Sequence, residues 1–91
     1  MRNQVFQNNF IKDLKLVRKQ NWNIEAIKQC IEDLAKLDIL PQKYKDHALK
    51  GDLKDFRECH IFGDLIIIYQ RDEENLILYR IGRHQDLFKG Y

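Results

Sequence analysis

Three histidines, one aspartate and a set of cationic side chains are the residues of this 91-residue chain best suited to chemistry. His47 stands in a polar stretch and His60 inside an apolar–polar alternation. Asp64 sits in the turn that follows, and His84 lies just past the last apolar run. Lys50, Lys54, Arg57, Arg80 and Arg83 are distributed among them. Such a set suits metal-free cleavage of RNA, in which the 2′-OH attacks the adjacent phosphorus. That reaction needs a base near the 2′-OH, an acid near the leaving 5′-oxygen and positive charge around the phosphoryl oxygens. An imidazole, with an ordinary pKa of about 6.5, serves as either acid or base near neutral pH. Arginine and lysine stabilise the charge that develops on phosphorus. Dependence on the 2′-OH would select RNA over DNA.

Blander readings of the same residues stand beside this one. Any single histidine is more often a surface or hydrogen-bonded structural residue than a catalyst. Three histidines and an aspartate could ligate a metal, but their spacing matches no short zinc motif, so no metal or cofactor is expected. Asp64 after Gly63 suits a turn on conformational grounds alone. Arg57 could simply pair with a carboxylate such as Asp55. Cys59 alternates with Ile61 and reads as core. Phe56, Phe62, Tyr69 and Tyr79 could stack on bases, but packing roles are the simpler assignment.

The elements that must position these side chains follow from periodicity. Residues 2–6 form a short first strand. Phe10, Leu14 and Val17 recur at helical spacing, which predicts an amphipathic helix over about 8–20. A second helix starts at Asn23, a favoured N-cap, with Glu25 in its first turn and Trp22 and Ile27 placed as a hydrophobic staple. Its expected buried stripe is Ile24, Ile27, Ile31 and Leu34, extending to Leu37, and Pro41 marks its end. Residues 42–53 lose periodicity and read as a Lys-rich loop. Phe56 to Phe62 then alternates, with Phe56, Glu58, His60 and Phe62 on one face and Arg57, Cys59 and Ile61 on the other. Gly63-Asp64 makes a tight turn. Leu65 to Gln70 is apolar on both faces, as a central strand should be. Leu76 to Ile81 is a further strand, followed by a short tail with one helical turn.

The order β-α-α-β-β-β predicts an α+β fold: two N-terminal helices packed on a small, mainly antiparallel sheet. The last three strands form a meander, so the histidine-bearing segments can converge at one side of it. Ninety-one residues with 44% hydrophobic content support one domain over 1–91. Nothing approaches the roughly 20 apolar residues of a membrane span. The start of the chain lacks the apolar core of a signal peptide. Cys30 and Cys59 show no CxxC spacing and fit free thiols in the cytoplasm.

The net charge is only +2, but it is unevenly spread. Residues 1–20 carry five Lys or Arg against Asp13 alone. Residues 76–91 carry Arg80, Arg83 and Lys89 against Asp86, whereas residues 61–75 carry Arg71 against four acids. Basic surface at both chain ends favours a polyanionic partner.

Three ordered blocks then carry a family resemblance. Tyr44-Lys45-Asp46-His47-Ala48-Leu49-Lys50-Gly51 resembles the loop of YafQ-type toxins in the RelE/ParE superfamily. Phe56-Arg57-Glu58-Cys59-His60-Ile61, Asp64 and the run to Tyr69 resemble the strand and turn that follow it. Leu76-Ile77-Leu78, Arg80, Gly82, His84 and Leu87-Phe88 resemble the closing strand and tail. The resemblance covers residues 44–88 and implies a toxin that cuts mRNA in the ribosomal A site and is silenced by a cognate antitoxin. It implies an active site at His47, His60, Asp64, His84 and Phe88. His47 and His60 would be the leading acid/base groups and Asp64 another. His84 would bind phosphate or share proton transfer, and Phe88 would position a base. Arg57 and Arg80 are expected to stabilise charge on chemical grounds. Leu65 stands where some relatives carry Trp, which bears on codon preference. Gly63 replaces a common Pro, and Arg83 replaces a usual Ser or Thr. A related branch with the same fold inhibits DNA gyrase without nuclease chemistry, and a non-catalytic module binding RNA or antitoxin is the other alternative.

Overall fold

The sheet is built around a strand whose first five residues are buried on both faces. The computed structural model describes residues 1–88, so Lys89 lies outside the described residues. Strands β1 (Asn3–Phe6), β2 (His47–Ala48), β3 (Arg57–Phe62), β4 (Leu65–Arg71) and β5 (Asn75–Arg83) form one sheet in the order β1-β5-β4-β3-β2. β4 pairs antiparallel with both β3 and β5, and its residues Leu65 to Tyr69 are all buried. A strand covered on both faces requires the uninterrupted apolar run that its sequence shows. Among the described residues only β1 pairs parallel, to β5, so the sheet is mainly antiparallel as expected.

Helices α1 (Asn8–Lys19) and α2 (Ile24–Lys36) cover one face. Phe10, Val17, Ile27, Cys30 and Leu34 pack there on Cys59, Leu65, Ile67, Tyr69, Leu78 and Ile81. Asn23 caps α2 by accepting from the Ala26 amide at 3.2 Å. The buried stripe of α2 centres on Cys30, while Ile24 and Ile31 are only half-buried. Its C-terminal carbonyls are satisfied from the sheet. Arg71 donates to Leu34 and Leu37, and Arg2 donates to Ala35 and Leu37.

Two sequence expectations are corrected. Residues 42–53 are not an unstructured loop, because His47–Ala48 forms strand β2 between two short 3-10 turns. Two residues are too few to show a period. Phe62 does not share a face with Glu58 and His60, because a bulge separates His60 from Phe62. The extra residue rotates Phe62 onto the helix side, where it packs against Trp22 at 5.4 Å between ring centroids. Gly63, at φ +55°, then turns the chain through a conformation that other residues adopt with strain.

The second face of the sheet carries a smaller apolar cluster of Ile66, Ile68 and Leu87, joined by Leu49, Phe56, Tyr79 and Phe88. The four-residue helix α3 (His84–Leu87) lies against it. No helix among the described residues is long and apolar enough to cross a membrane.

Candidate active site

Side chains alternate along a strand, so the register decides which polar groups share the second face. His47 on β2 faces Glu58 on β3, Glu58 faces Ile68 on β4, and Ile68 faces Arg80 on β5. The next row on that face holds His60, Ile66 and Gly82. His84 follows β5 directly and is anchored by its backbone amide, which donates to the Asp64 carbonyl at 2.9 Å. The turn carrying Asp64 therefore holds the residue that opens α3.

The three imidazoles meet on one buried carboxylate. Glu58 is only 3% exposed. Its Oε1 lies 3.1 Å from His47 Nε2 and 3.4 Å from His60 Nε2, and its Oε2 lies 3.5 Å from His84 Nε2. Among the described residues, no hydrogen-bond donor satisfies Oε2. A buried oxygen left so costs free energy, and its persistence marks a place shaped for more than folding. The His47 and His60 rings lie 6.1 Å apart and near parallel, and His84 leans on Phe88 at 4.6 Å.

His47 is fixed from both sides. Its Nδ1 is 2.7 Å from the Lys45 carbonyl. Lys45 adopts φ +48°, a left-handed conformation that costs a non-glycine residue about 1 kcal/mol. The kink aims that carbonyl at the ring. Nδ1–H donates there and Nε2 faces a carboxylate, so each ring nitrogen has an acceptor beside it. The preceding residue points to the opposite face. Asp46 accepts from Arg57 Nη2 at 2.6 Å and from the Tyr69 hydroxyl. Burial, and then the bond to Asp46, push the Tyr69 phenol well above its ordinary range. The hydrogen bond to Asp46 likewise raises the Arg57 guanidinium.

These contacts separate the expected site residues. His47, His60 and His84 converge, with Phe88 against His84. Lys50 joins His47, Glu58, His84 and Phe88 in lining a pocket of about 430 Å³. Arg80 lies on the same face, two strands from Glu58, and pairs with Asp13 of α1 at 2.7 Å. Arg83 is exposed enough to pair with Asp86 at 2.9 Å. Lys54 is exposed beside the second 3-10 turn. Asp64 is exposed, and among the described residues its carboxylate joins none of the three imidazoles. Arg57 is the clear departure: alternation places it on the helix side with Cys59, held by Asp46 rather than facing the imidazoles. Glu58 is the residue that sequence reasoning passed over. Its i, i+2 spacing from His60 was the available signal, but only the register shows that it lies beneath all three rings.

The family model described as the bacterial toxin of type II toxin–antitoxin system, YafQ, matches residues 2–89. The chain belongs to the YafQ toxin family. It is 33% identical over 84 residues to the mRNA interferase toxin YafQ of Escherichia coli K12, covering 91% of each chain. Among solved structures it is similar to the E. coli DinJ–YafQ toxin–antitoxin complex, at 33% identity and TM-score 0.88, covering 96% of this chain and 97% of that one. A metal-bound toxin from Helicobacter pylori is 42% identical with TM-score 0.87, covering 97% of this chain and all of that one. In this YafQ-family chain His47, Glu58 and His60 bring three ligand atoms within 4.8 Å of one another, a set that could hold a metal ion. The YafQ fold thus supplies through sheet register what the linear spacing lacked.

Proposed function

We propose that this toxin is an endoribonuclease that cuts translated mRNA in the ribosomal A site, at the pocket above Glu58. The observation that carries the reading is the meeting of His47, His60 and His84 on one buried carboxylate. A negative oxygen favours a proton on the nitrogen it faces. For His60 and His84 that nitrogen is Nε2, which leaves Nδ1 able to accept a proton. For His47 both nitrogens face acceptors. One cluster therefore offers proton acceptors and a proton donor together. The 2′-OH gives its proton to a neutral imidazole as its oxygen attacks phosphorus. The phosphorus–O5′ bond breaks, and the leaving oxygen takes a proton from His47. Lys50 and Arg80 stabilise the phosphoryl charge, with Arg83 and Lys54 as outer cations. Phe88 stacks against the nucleotide beside His84, and Asp64 holds His84 through its backbone. Glu58 Oε2 is buried, so the carboxylate acts on the rings rather than on the RNA.

The toxin works in the cytoplasm with a cognate antitoxin that covers its basic surface with an acidic segment. Primer extension on mRNA from cells expressing the chain should show in-frame cuts within translated regions, absent for His84→Ala. A fully active His84→Ala variant would overturn the assignment. Gyrase inhibition is the weaker reading, since a binding surface needs no imidazole cluster. A divalent transition ion at His47, Glu58 and His60 would take the Nε2 nitrogens that face Glu58 and displace the proton that His47 donates, and we propose it as an inhibitor rather than a cofactor.

A further inference from the structure

A second cleft, of about 590 Å³, opens on the same face of the sheet, between the start of α1 and β5. It shares Leu53 and Phe88 with the pocket that holds His47, Glu58 and His84. The two therefore adjoin, with Leu53 and Phe88 on their shared border. Arg80 and Glu58 flank Ile68 in one cross-strand row, about two strand spacings or roughly 10 Å apart. Together the adjoining clefts reach from the imidazoles to the edge of α1.

The chemistry of this cleft differs from that of the first pocket. Phe56 and Tyr79 form its aromatic floor, edge to face at 4.8 Å between centroids. Gln7, Asn8 and Asn9 line its far wall, and all three are exposed. Lys12 stands one helical turn further along, with no ion-pair partner among the described residues. Carboxamides donate and accept side by side, which is the pattern that pairs with a base edge. An aromatic floor stacks under any base. A lysine at the rim meets phosphate. Among the described residues no carboxylate lines the cleft, so a polyanion meets no repulsion from these walls.

We infer that this cleft is a nucleotide-reading subsite, in which a base next to the cleaved phosphodiester stacks on the Phe56–Tyr79 floor and is read by the amides of Asn8 and Asn9. The inference rests on the nuclease reading above. It locates base preference in α1, away from the proton-transfer groups. Lys12 contributes to binding at every site equally, whereas the two asparagines discriminate between sites.

The test maps cut sites and their relative rates by primer extension for the wild-type chain, Asn8→Ala/Asn9→Ala, Lys12→Glu and His84→Ala. Substitutions at these exposed positions leave the core untouched, and melting curves check that the fold is retained. The asparagine double variant should still cut, with preference between neighbouring bases flattened roughly ten-fold. Lys12→Glu should slow cutting at all sites alike. His84→Ala should cut nowhere. Wild-type site preference in the double variant together with wild-type rates in Lys12→Glu would overturn the subsite while leaving the nuclease reading intact. Wild-type cutting combined with loss of neutralisation by antitoxin would assign the cleft to the protein partner instead and also overturn it. A wild-type chain that cuts no RNA would overturn both readings.

Discussion

His47 and Glu58 are direct cross-strand neighbours on β2 and β3, and His47 Nε2 stands 3.1 Å from Glu58 Oε1. The two-residue strand β2 exists to make that contact. Without it, residue 47 would sit on a loop and its ring would sample many positions. Pairing with β3 fixes it above the only buried charged side chain of the described residues. The carboxylate in turn reaches His60 along its own strand and His84 from the end of β5. Three segments distant in sequence are thereby tied to one group.

Glu58→Gln should separate activity from stability. The substitution preserves volume and removes a buried charge whose Oε2 lacks a donor among the described residues. The three rings it pairs with are each at least a quarter exposed, so its loss leaves no uncompensated charge in the interior and costs folding little. Thermal melting should therefore show a nearly unchanged midpoint. Cleavage of translated mRNA should fall by about 100-fold, within the range for lost acid–base catalysis. A merely structural Glu58 would instead lower both quantities together.

Much of this arrangement is legible in the sequence. The apolar run Leu65–Tyr69 could only be a central strand. The meander then forced His60 and the residue after β5 to the same neighbourhood. Two features were hidden for physical reasons. β2 pairs only two residues, below the length at which alternation can be seen. Glu58 reads as an ordinary alternating polar residue, because its burial comes from neighbours supplied by other segments. Arg57 was legible in part. Its alternation with Cys59 already placed it on the helix side, but its positive charge suggested the RNA.

The Asp46 contacts should behave as a latch on His47 rather than as a phosphate site. Asp46→Ala strips the acceptor from the mostly buried Tyr69 hydroxyl, which should cost about 1–3 kcal/mol of stability in chemical denaturation. Cleavage should fall with it, because residue 47 follows directly. Arg57→Lys keeps the charge but loses the two-nitrogen grip on Asp46. It should therefore show a partial loss of both stability and cleavage. Full activity in Arg57→Lys with strong loss in Arg57→Gln would favour a phosphate contact instead.

Transition-metal binding should inhibit. Zn²⁺ or Cu²⁺ added to the purified toxin should bind through His47, Glu58 and His60, whose ligand atoms lie within 4.8 Å. Titration calorimetry should detect one site per chain, lost in His60→Ala. Chelation should restore cleavage. Stimulation by the metal would reverse the proposed role.

Stability should fall on the alkaline side. Burial, followed by hydrogen bonds to Asp33 and Asp46, raises the Tyr44 and Tyr69 phenols above their ordinary value of 10.0. The hydrogen bond to Cys30, and then burial, raise the Cys59 thiol above 9.0. Raised values mean that the folded chain keeps protons the unfolded chain has released. The contribution is full below the ordinary values and fades as pH climbs through and beyond them. Denaturation midpoints should decline from about pH 9 upward. Tyr69→Phe should reduce the slope above pH 10, since one of the three linked groups is gone. An identical slope would show that Tyr69 is not one of them.

Gly82 lies against Leu87, the buried residue of the helix that His84 opens, so a side chain at residue 82 should disturb the site. A Cβ at residue 82 would lie 3.1 Å from Leu87 Cδ2 and 3.4 Å from Cγ, so Leu87 must move to admit a side chain. Leu87 is the buried residue of α3, the four-residue helix that begins with His84. A branched side chain at residue 82 should press on Leu87 and, through α3, shift His84 relative to Glu58 Oε2 and Phe88 with it. Gly82→Val should therefore lower cleavage by about ten-fold, as expected when a reacting group is misplaced by a fraction of an ångström. Its cost in stability should be about 1–3 kcal/mol from overpacking. Leu87→Ala alone leaves a cavity and should also impair the site. In the double variant the valine occupies part of the space that Leu87 vacates, so activity should exceed the product of the two single effects. Strict additivity in that cycle would show that the two positions do not communicate, and that α3 is held in place by the Asp64–His84 backbone contact alone.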